Sequence, residues 1–298
     1  SIVVRKSDGT LVSKTEELRL TKTRHPAAGW PLIRGIINFG ASMVSGVRAL
    51  MYSASFFTEE LAPSAAGDTD GGAKPVEESK FDKWVETKLG KEKADSVLVM
   101  FSVVLGIAVS VGLFMLLPTF LAGFLTKLVD SSILKNLIEG VLRIAIFIAY
   151  IGLTSLLSDM RRVWMYHGAE HKTIFCYERD LPLTVENVRA QPRCHPRCGT
   201  SFLFIVMIVS ILVFSLLRWQ GVLLRIAFRL LLLPVVVAVS YEIIKWAGRH
   251  DNVLTRLVSA PGKALQRLTT REPDDSMIEV AIAAVKEVLP EKTGEDAW

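Results

Sequence analysis

The stretch VLVMFSVVLGIAVSVGLFMLL, residues 97–117, carries no charged side chain and is followed by Pro118. At a rise of about 1.5 Å per residue, a helix of roughly 20 residues crosses the hydrocarbon core of a bilayer, which is about 30 Å thick. Soluble core helices rarely contain an uncharged apolar run of this length. The stretch therefore predicts a transmembrane helix that ends at Pro118, and it argues against a soluble helical bundle.

Two further apolar runs follow it along the chain. Residues 137–157 contain Glu139 and Arg143, which stand four positions apart and can pair on one face of a helix. Residues 202–217 are short for a span, although the small polar residues 199–201 can extend it. We predict the second and third transmembrane helices at these two runs.

The fourth apolar run, residues 222–247, has basic residues at its start and charged residues near its end. We expect Arg225 and Arg229 to snorkel to the nearer membrane surface, with Glu242 close to the opposite surface. The four runs together predict an all-α polytopic membrane protein with about four transmembrane helices. We expect a small N-terminal β-hairpin and cytosolic amphipathic helices in addition.

The two ends of the chain resemble ordinary soluble sequence. Asp8-Gly9 separates two short β-like runs, which is a hairpin signal. Near the C-terminus, Ser276 and Glu279 have the spacing of a capping box, and we expect Asp274 and Asp275 to act only through helix N-terminal electrostatics.

The chain divides into a β-hairpin region (1–30), an amphipathic or interfacial helix (31–61), a flexible linker (62–80), a helix with the first two spans (81–157), a cytosolic loop with His and Cys (158–201), spans three and four (202–247) and a cytosolic C-terminal region (248–298).

The positive charges of the chain orient the predicted bundle. Most of the 35 lysines and arginines lie in residues 1–96, 158–201 and 245–298, whereas the loops 118–136 and 218–221 hold few. The positive-inside rule then predicts a multi-pass protein of the bacterial cytoplasmic (inner) membrane with both termini in the cytosol. The lipid bilayer is the predicted partner, and other membrane proteins or a homo-oligomer remain open. No basic stripe interleaved with aromatic residues suggests nucleic acid.

A histidine pair follows the second span in WMYHGAEHKTIF, residues 164–175. His167 and His171 are four positions apart, so they share one face if this stretch is helical. Two imidazoles spaced in this way can bind one metal ion. Glu170 stands beside both histidines on such a helix.

A second group of metal-binding residue types precedes the third span. His195 and Cys198 stand three positions apart in HPRC, within a turn that contains proline. His and Cys ligands together favour zinc. The predicted topology brings HGAEH, HPRC and Glu242 to one depth at the cytosolic membrane surface.

The letters H-x-x-E-H also match the inverted zincin motif, in which two histidines hold zinc and the glutamate activates water. A hydrolase needs three protein ligands and an open fourth position, with Glu170 or Glu242 as the base. The third ligand would come from His195, Cys198 or Glu242. If His167, His171, His195 and Cys198 all bind, the site is closed and structural. Histidines that only form hydrogen bonds at the interface are the third alternative.

The other two cysteines have a weaker claim on the site. Cys176 and Cys194 are expected to be bystanders, since a redox pair of Cys194 with Cys198 lacks the C-x-x-C spacing. If the cysteines are cytosolic, they should be reduced.

Several motifs together resemble the YqhQ family of uncharacterised bacterial membrane proteins. They are YHGAEHKTI, LTVENVR, HPRCGTSFL, SYEIIKWAGR, QRLTTREPDDSMIEVAIAA and, upstream, PLIRGIINFGASMVSGVRALMYSA. The resemblance implies a metal-dependent enzyme with its site at the matched positions, which are His167, Glu170, His171, His195, Cys198, Glu242 and residues 271–275. It also implies a glycine-rich segment ahead of the hairpin, and any site residues there would lie outside this chain.

Two functions follow from these observations. The first is a membrane-embedded zinc-dependent hydrolase that works at the cytosolic face on lipid headgroups or membrane peptides. The second is a non-enzymatic membrane scaffold, or an accessory factor for protein insertion or assembly, in which the metal fastens the cytosolic loop to the bundle. A transporter is less favoured, since the spans contain few ionisable groups.

Overall fold

The computed structural model describes residues 1–16, 26–61, 101, 104–127, 129–196, 198–216, 222–250 and 252–289. Within them the chain is mostly helical and contains one two-stranded sheet. The predicted linker, residues 62–80, lies outside the described residues.

The predicted hairpin is confirmed at the N-terminus. Strands β1 (Ile2–Arg5) and β2 (Leu11–Lys14) pair antiparallel. Gly9 takes a φ of +85°, a left-handed conformation that glycine adopts without strain, and the Lys6 N–H donates to the Thr10 carbonyl at 2.9 Å. The Asp8-Gly9 signal thus marks the turn.

Most of the remaining described residues form α-helices. They are α1 (Ile33–Leu61), α2 (Val104–Leu125), α3 (Ser132–Thr154), α4 (Ser158–Glu178), α5 (Val185–Arg189), α6 (Gly199–Ser215), α7 (Val222–Arg249), α8 (Val253–Thr269) and α9 (Asp275–Lys286).

Three of these helices are long and apolar enough to cross a membrane. They are α2, α3 and the Ile226–Arg249 part of α7. The predicted third span forms the shorter apolar helix α6, and residues 217–221 after it lie outside the described chain. The structure is therefore consistent with a membrane protein, with three helices of spanning length among the residues described.

Helix α2 does not end at Pro118, so that predicted boundary is wrong. The helix widens into a π-helical turn at Gly112–Leu116 and continues to Leu125. Proline has no N–H to offer the carbonyl four residues earlier, which is that of Phe114. The Arg143 Nε donates to this carbonyl at 3.2 Å, so that its hydrogen bond comes from α3 instead.

The expectation that Arg229 snorkels to the surface is also wrong. Arg229 is buried and donates to both carboxylate oxygens of Glu139, one of them at 2.9 Å. Arg143 also pairs with Glu139, at 3.3 Å, as the spacing predicted. A buried carboxylate is a closer partner for Arg229 than lipid headgroups beyond the end of its helix. Thr119 also binds Glu139 and Arg229, and we call Glu139, Arg143, Arg229 and Thr119 the Glu139 cluster.

Helix α6 lies at the centre of the packing and contacts α3, α7 and α8. Ile205, Val209 and Phe214 of α6 meet Val236 and Ile244 of α7 in one apolar core. Helix α1 packs on α7.

A second core lies under α4, and it joins α4 to α5 and α9 through residues such as Ala169, Val188 and Ile278. The start of α9 differs from the predicted capping box: the Asp274 carboxylate, not Ser276, accepts from the Met277 N–H at 2.9 Å. Asp274 thus acts at the helix N-terminus as expected.

Candidate metal centre

The two histidines of HGAEH lie one turn apart on α4. Their ring centroids are 4.3 Å apart, so both imidazoles occupy the same face of the helix. His171 is buried, and His167 is half-buried. The helical placement assumed from the spacing is therefore present.

Backbone carbonyls fix the orientation of both rings. His167 Nδ1 lies 2.7 Å from the Thr269 carbonyl oxygen, and His171 Nδ1 lies 2.6 Å from the Arg193 carbonyl oxygen. A carbonyl oxygen only accepts, so each Nδ1 carries the proton. This arrangement leaves Nε2 of each ring for another partner, and metal-binding histidines are commonly held in this way.

Cys198 completes the cluster from the start of α6. Its Sγ lies 3.2 Å from His167 Nε2, and it caps the helix by accepting from the Thr200 N–H at 3.4 Å. The ligand atoms of His167, His171 and Cys198 all lie within 4.8 Å of one another. We call these three residues the ligand cluster.

The surroundings of the ligand cluster shift the pKa values of Cys198 and His167 in opposite directions. Burial alone would raise the pKa of Cys198, but hydrogen bonds from His167, His171 and Thr200 outweigh it and lower that pKa to about 5. Burial is the largest single influence on the pKa of His167 and would lower it, but the hydrogen bond and charge of Cys198, the Thr269 carbonyl and the charge of Glu170 together outweigh burial and raise the pKa. A thiolate beside an imidazolium is the arrangement from which a metal cation displaces one proton.

One distance in the cluster matches a tetrahedral metal site. Zinc bonds of about 2.0–2.3 Å place neighbouring nitrogen and sulfur ligands roughly 3.3–3.6 Å apart. The 3.2 Å between His167 Nε2 and Cys198 Sγ is close to that value. With all three ligand atoms within 4.8 Å of one another, the residues could hold a metal ion.

Lys172 and Gln266 hold the backbone that orients the cluster. The buried Lys172 Nζ donates to the carbonyls of Arg189 and Gln191, at 3.0 and 2.8 Å, just ahead of the Arg193 carbonyl that binds His171. Gln266 of α8 is fully buried, accepts from the His195 N–H and donates to the His195 carbonyl, both at 2.7 Å. Neither residue was predicted from the sequence. The signal available for Gln266 was a polar side chain among the apolar residues of the amphipathic helix α8.

Gly168 allows the C-terminal segment to lie against α4. A Cβ at this position would meet the Arg271 carbonyl oxygen at 2.1 Å, which no side chain tolerates. The same segment places the Thr269 carbonyl on His167 and pairs the Arg271 N–H with the Trp164 carbonyl at 2.8 Å. The glycine of HGAEH is thus part of the site.

The structure places the remaining predicted site residues outside the ligand cluster. His195 Nε2 lies 3.2 Å from a Glu178 carboxylate oxygen, and its ring centroid is 5.9 Å from that of His171. Glu242 is paired with Arg34 of α1, with Nε to Oε1 at 2.7 Å. Glu170 is exposed on α4, beside the ligand cluster, and its charge helps to raise the pKa of His167.

The three cysteines are all free thiols. Cys176 is buried, and its Sγ lies 3.5 Å from the Pro182 carbonyl oxygen, while Cys194 is partly exposed.

Comparisons with known proteins cover nearly the whole chain. A family model described as "Protein of unknown function (DUF1385)" matches residues 30–291. The chain is 32% identical over 293 residues to "Uncharacterized protein YqhQ" of Bacillus subtilis (strain 168), with 96% of this chain and 85% of that protein covered. No solved structure matches the chain. The matched residues include every member of the ligand cluster.

Proposed function

The chain belongs to the YqhQ family, described by the DUF1385 model, and we propose that it is a membrane-embedded zinc-dependent hydrolase. His167, His171 and Cys198 bind the metal, and Glu170 is the general base. The site lies at the cytosolic surface of the bacterial cytoplasmic membrane.

The observation that carries this proposal is the number of converging ligand atoms. One ring nitrogen from each of His167 and His171 lies within 4.8 Å of the other and of the Cys198 sulfur, and His195 is turned toward Glu178 instead. Catalytic zinc sites have three protein ligands and an open fourth position, whereas structural sites have four. The arrangement supports the open form over the closed set of four.

The chemistry of the proposal divides between the metal and the chain. Zinc, when bound, would polarise the substrate and lower the pKa of a water molecule. Glu170 would take the proton of that water and return it to the leaving group. Glu170 is exposed on the helix that carries both histidines, three residues after His167 and one before His171, and its charge helps to raise the pKa of His167, which supports this role.

The apolar helices and the charge pattern support the location. Helix α4 begins four residues after the membrane-length helix α3 ends, and Cys198 stands at the first turn of the apolar helix α6. The ligand cluster therefore lies at one end of the apolar bundle. The positive-inside rule assigns that end, with both termini, to the cytosol.

A structural metal in a scaffold protein is the second candidate. One observation favours it: the cluster and its carbonyl partners join α4, the 193–198 turn and the end of α8. A metal there would fasten the polar part of the protein to the bundle. Docking of membrane-protein partners, or of a second copy, would then be the function of the fastened surface.

Metal content tests whether the site exists. We expect near-stoichiometric zinc in the protein purified without chelator, as measured by elemental mass spectrometry. His171→Ala should remove it, whereas His250→Ala, at an exposed histidine outside the cluster, should retain it. Equal zinc in the two variants, or none in the wild type, would overturn the proposal.

Cobalt substitution then separates an open site from a closed one. Cobalt(II) bound by a thiolate and two imidazoles absorbs visible light, and the spectrum changes when a further ligand binds. We expect acetohydroxamate to change the spectrum of the wild type, which a closed four-ligand site would not permit. Glu170→Gln should keep metal and spectrum, with Glu186→Gln on the exposed face of α5 as the matched control.

A further inference from the structure

An apolar groove borders the ligand cluster. It has a volume of about 390 Å³ and lies between α1, α7 and the first turns of α6. Cys198 and Gly199 are among its lining residues, so a residue of the ligand cluster is part of its wall. Ligand sites typically have volumes of roughly 300–1,000 Å³, and the groove lies at the lower end of that range.

The walls of the groove present almost no free polar group. They include Phe39, Met43, Phe202, Leu203 and Ile244. The two larger polar side chains, Asn38 and Tyr241, bind each other, with the amide Nδ2 donating to the phenol oxygen at 2.8 Å. A polar occupant would therefore lose hydrogen bonds with water and gain few here, whereas an apolar occupant would lose none.

The open side of the groove faces an apolar surface. Met43 and Leu203 at its wall are 54% and 44% exposed. The exposed residues further along α1 and α6 are also large and apolar, among them Val44, Val47 and Leu212. On a bundle with helices of spanning length, such a surface meets hydrocarbon, so molecules reach the groove from the bilayer.

We infer that the groove binds one acyl chain of a membrane lipid and presents the carbonyl group of that chain to the ligand cluster. The inference rests on the proposed function, because the ligand cluster supplies the reactive end. Hydrolysis would add the hydroxyl of water to the acyl carbon and break its bond to the oxygen or nitrogen of the lipid. The proton left from water would go to that oxygen or nitrogen.

Hydroxamates of increasing chain length test the groove on the cobalt-loaded protein. Acetohydroxamate and hexanohydroxamate share the metal-binding group and differ by four methylenes, and both are water-soluble. Each methylene that enters an apolar site tightens binding by about fourfold at full burial. We expect hexanohydroxamate to bind the wild type at least tenfold more tightly than acetohydroxamate, as measured by spectral titration.

A variant that fills the groove provides the decisive comparison. Leu203→Trp should remove the gain from the longer chain and leave acetohydroxamate binding unchanged. Leu212→Trp, at an exposed position of α6 outside the groove, should behave as wild type and corrects for partitioning into detergent. If the gain is absent in the wild type or persists in Leu203→Trp, the groove does not hold the chain. If acetohydroxamate itself fails to bind, the open metal site is wrong instead.

Discussion

The Glu139 cluster and the ligand cluster, both in the part of the chain that the structure describes, use their hydrogen-bonding groups in opposite ways. In the Glu139 cluster, one carboxylate accepts from Arg229, Arg143 and Thr119, so that both of its oxygens are engaged. In the ligand cluster, His167 and His171 direct their Nδ1 atoms to backbone carbonyls, and the ligand atoms of both rings lie within 4.8 Å of each other and of the Cys198 sulfur.

The difference indicates which cluster fastens the fold and which one binds. A carboxylate whose partners come from three helices stabilises their packing, and it has little capacity for a ligand. Converging lone pairs repel one another unless a proton or a cation lies between them. The Glu139 cluster is therefore expected to have a structural role, and the proposed metal-binding role belongs to the ligand cluster.

The largest expected effect comes from breaking the Glu139 cluster. Glu139→Gln leaves the buried Arg229 and the partly buried Arg143 without their carboxylate, and removal of one partner from a buried pair costs about 3–5 kcal/mol. The free energy of unfolding in detergent measures the loss. Glu242→Gln is the matched control, because its partner Arg34 is partly exposed and solvent screens the lost charge. Equal losses in the two variants would contradict the assignment.

Metal removal is the corresponding change at the ligand cluster. Zinc at 100 times its Kd stabilises the folded state by about 2.7 kcal/mol, and a chelator should remove that amount. Cys198→Ser should be insensitive to the chelator, whereas Cys194→Ser should respond as the wild type does. A chelator response that survives Cys198→Ser would place the metal elsewhere.

Gly168 gives a smaller effect that links stability to the site. Gly168→Ala forces the Arg271 carbonyl away from α4, which should cost about 1–3 kcal/mol as overpacking does. The Thr269 carbonyl moves with that segment, and loss of such a partner lowers metal affinity about 10- to 100-fold. Competition with a chromophoric chelator measures the affinity.

The control for Gly168→Ala is Gly152→Ala in α3. A Cβ at Gly152 meets nothing within 4 Å, so this change should leave zinc affinity unchanged. Alanine is favoured over glycine inside a helix by roughly 0.5–1 kcal/mol. The free energy of unfolding of the variant should therefore be slightly higher than that of the wild type. Similar zinc affinity in the two variants would separate Gly168 from the site.

Local patterns carried most of what the sequence could predict. The Asp8-Gly9 turn, the Glu139–Arg143 pair and the shared face of His167 and His171 each depend on a spacing of five residues or fewer. Contacts between residues that are so close in sequence follow from helix and turn geometry alone. The family was also recognisable, because its motifs are short and specific.

Contacts between distant segments could not be read in the same way. Arg229 reaches Glu139 across 90 positions, and Gln266 reaches His195 across 71. Which helix faces which depends on the packing of α3, α6, α7 and α8, and no spacing encodes it. The same limit explains why Cys198 lies beside His167 while His195, three residues before it, turns to Glu178.

An exposed ion pair near the site provides the smallest expected effect. Arg189 at the end of α5 donates to the Asp275 carboxylate at 3.0 Å, and both side chains are more than half exposed. Asp275→Asn should change the free energy of unfolding far less than Glu139→Gln does, because water screens such pairs. It should also leave zinc content unchanged, since neither residue contacts the ligand cluster. A loss as large as that of Glu139→Gln would mean that an ion pair in water stabilises the fold as much as one inside the bundle, and burial would then not explain the large effect expected at Glu139.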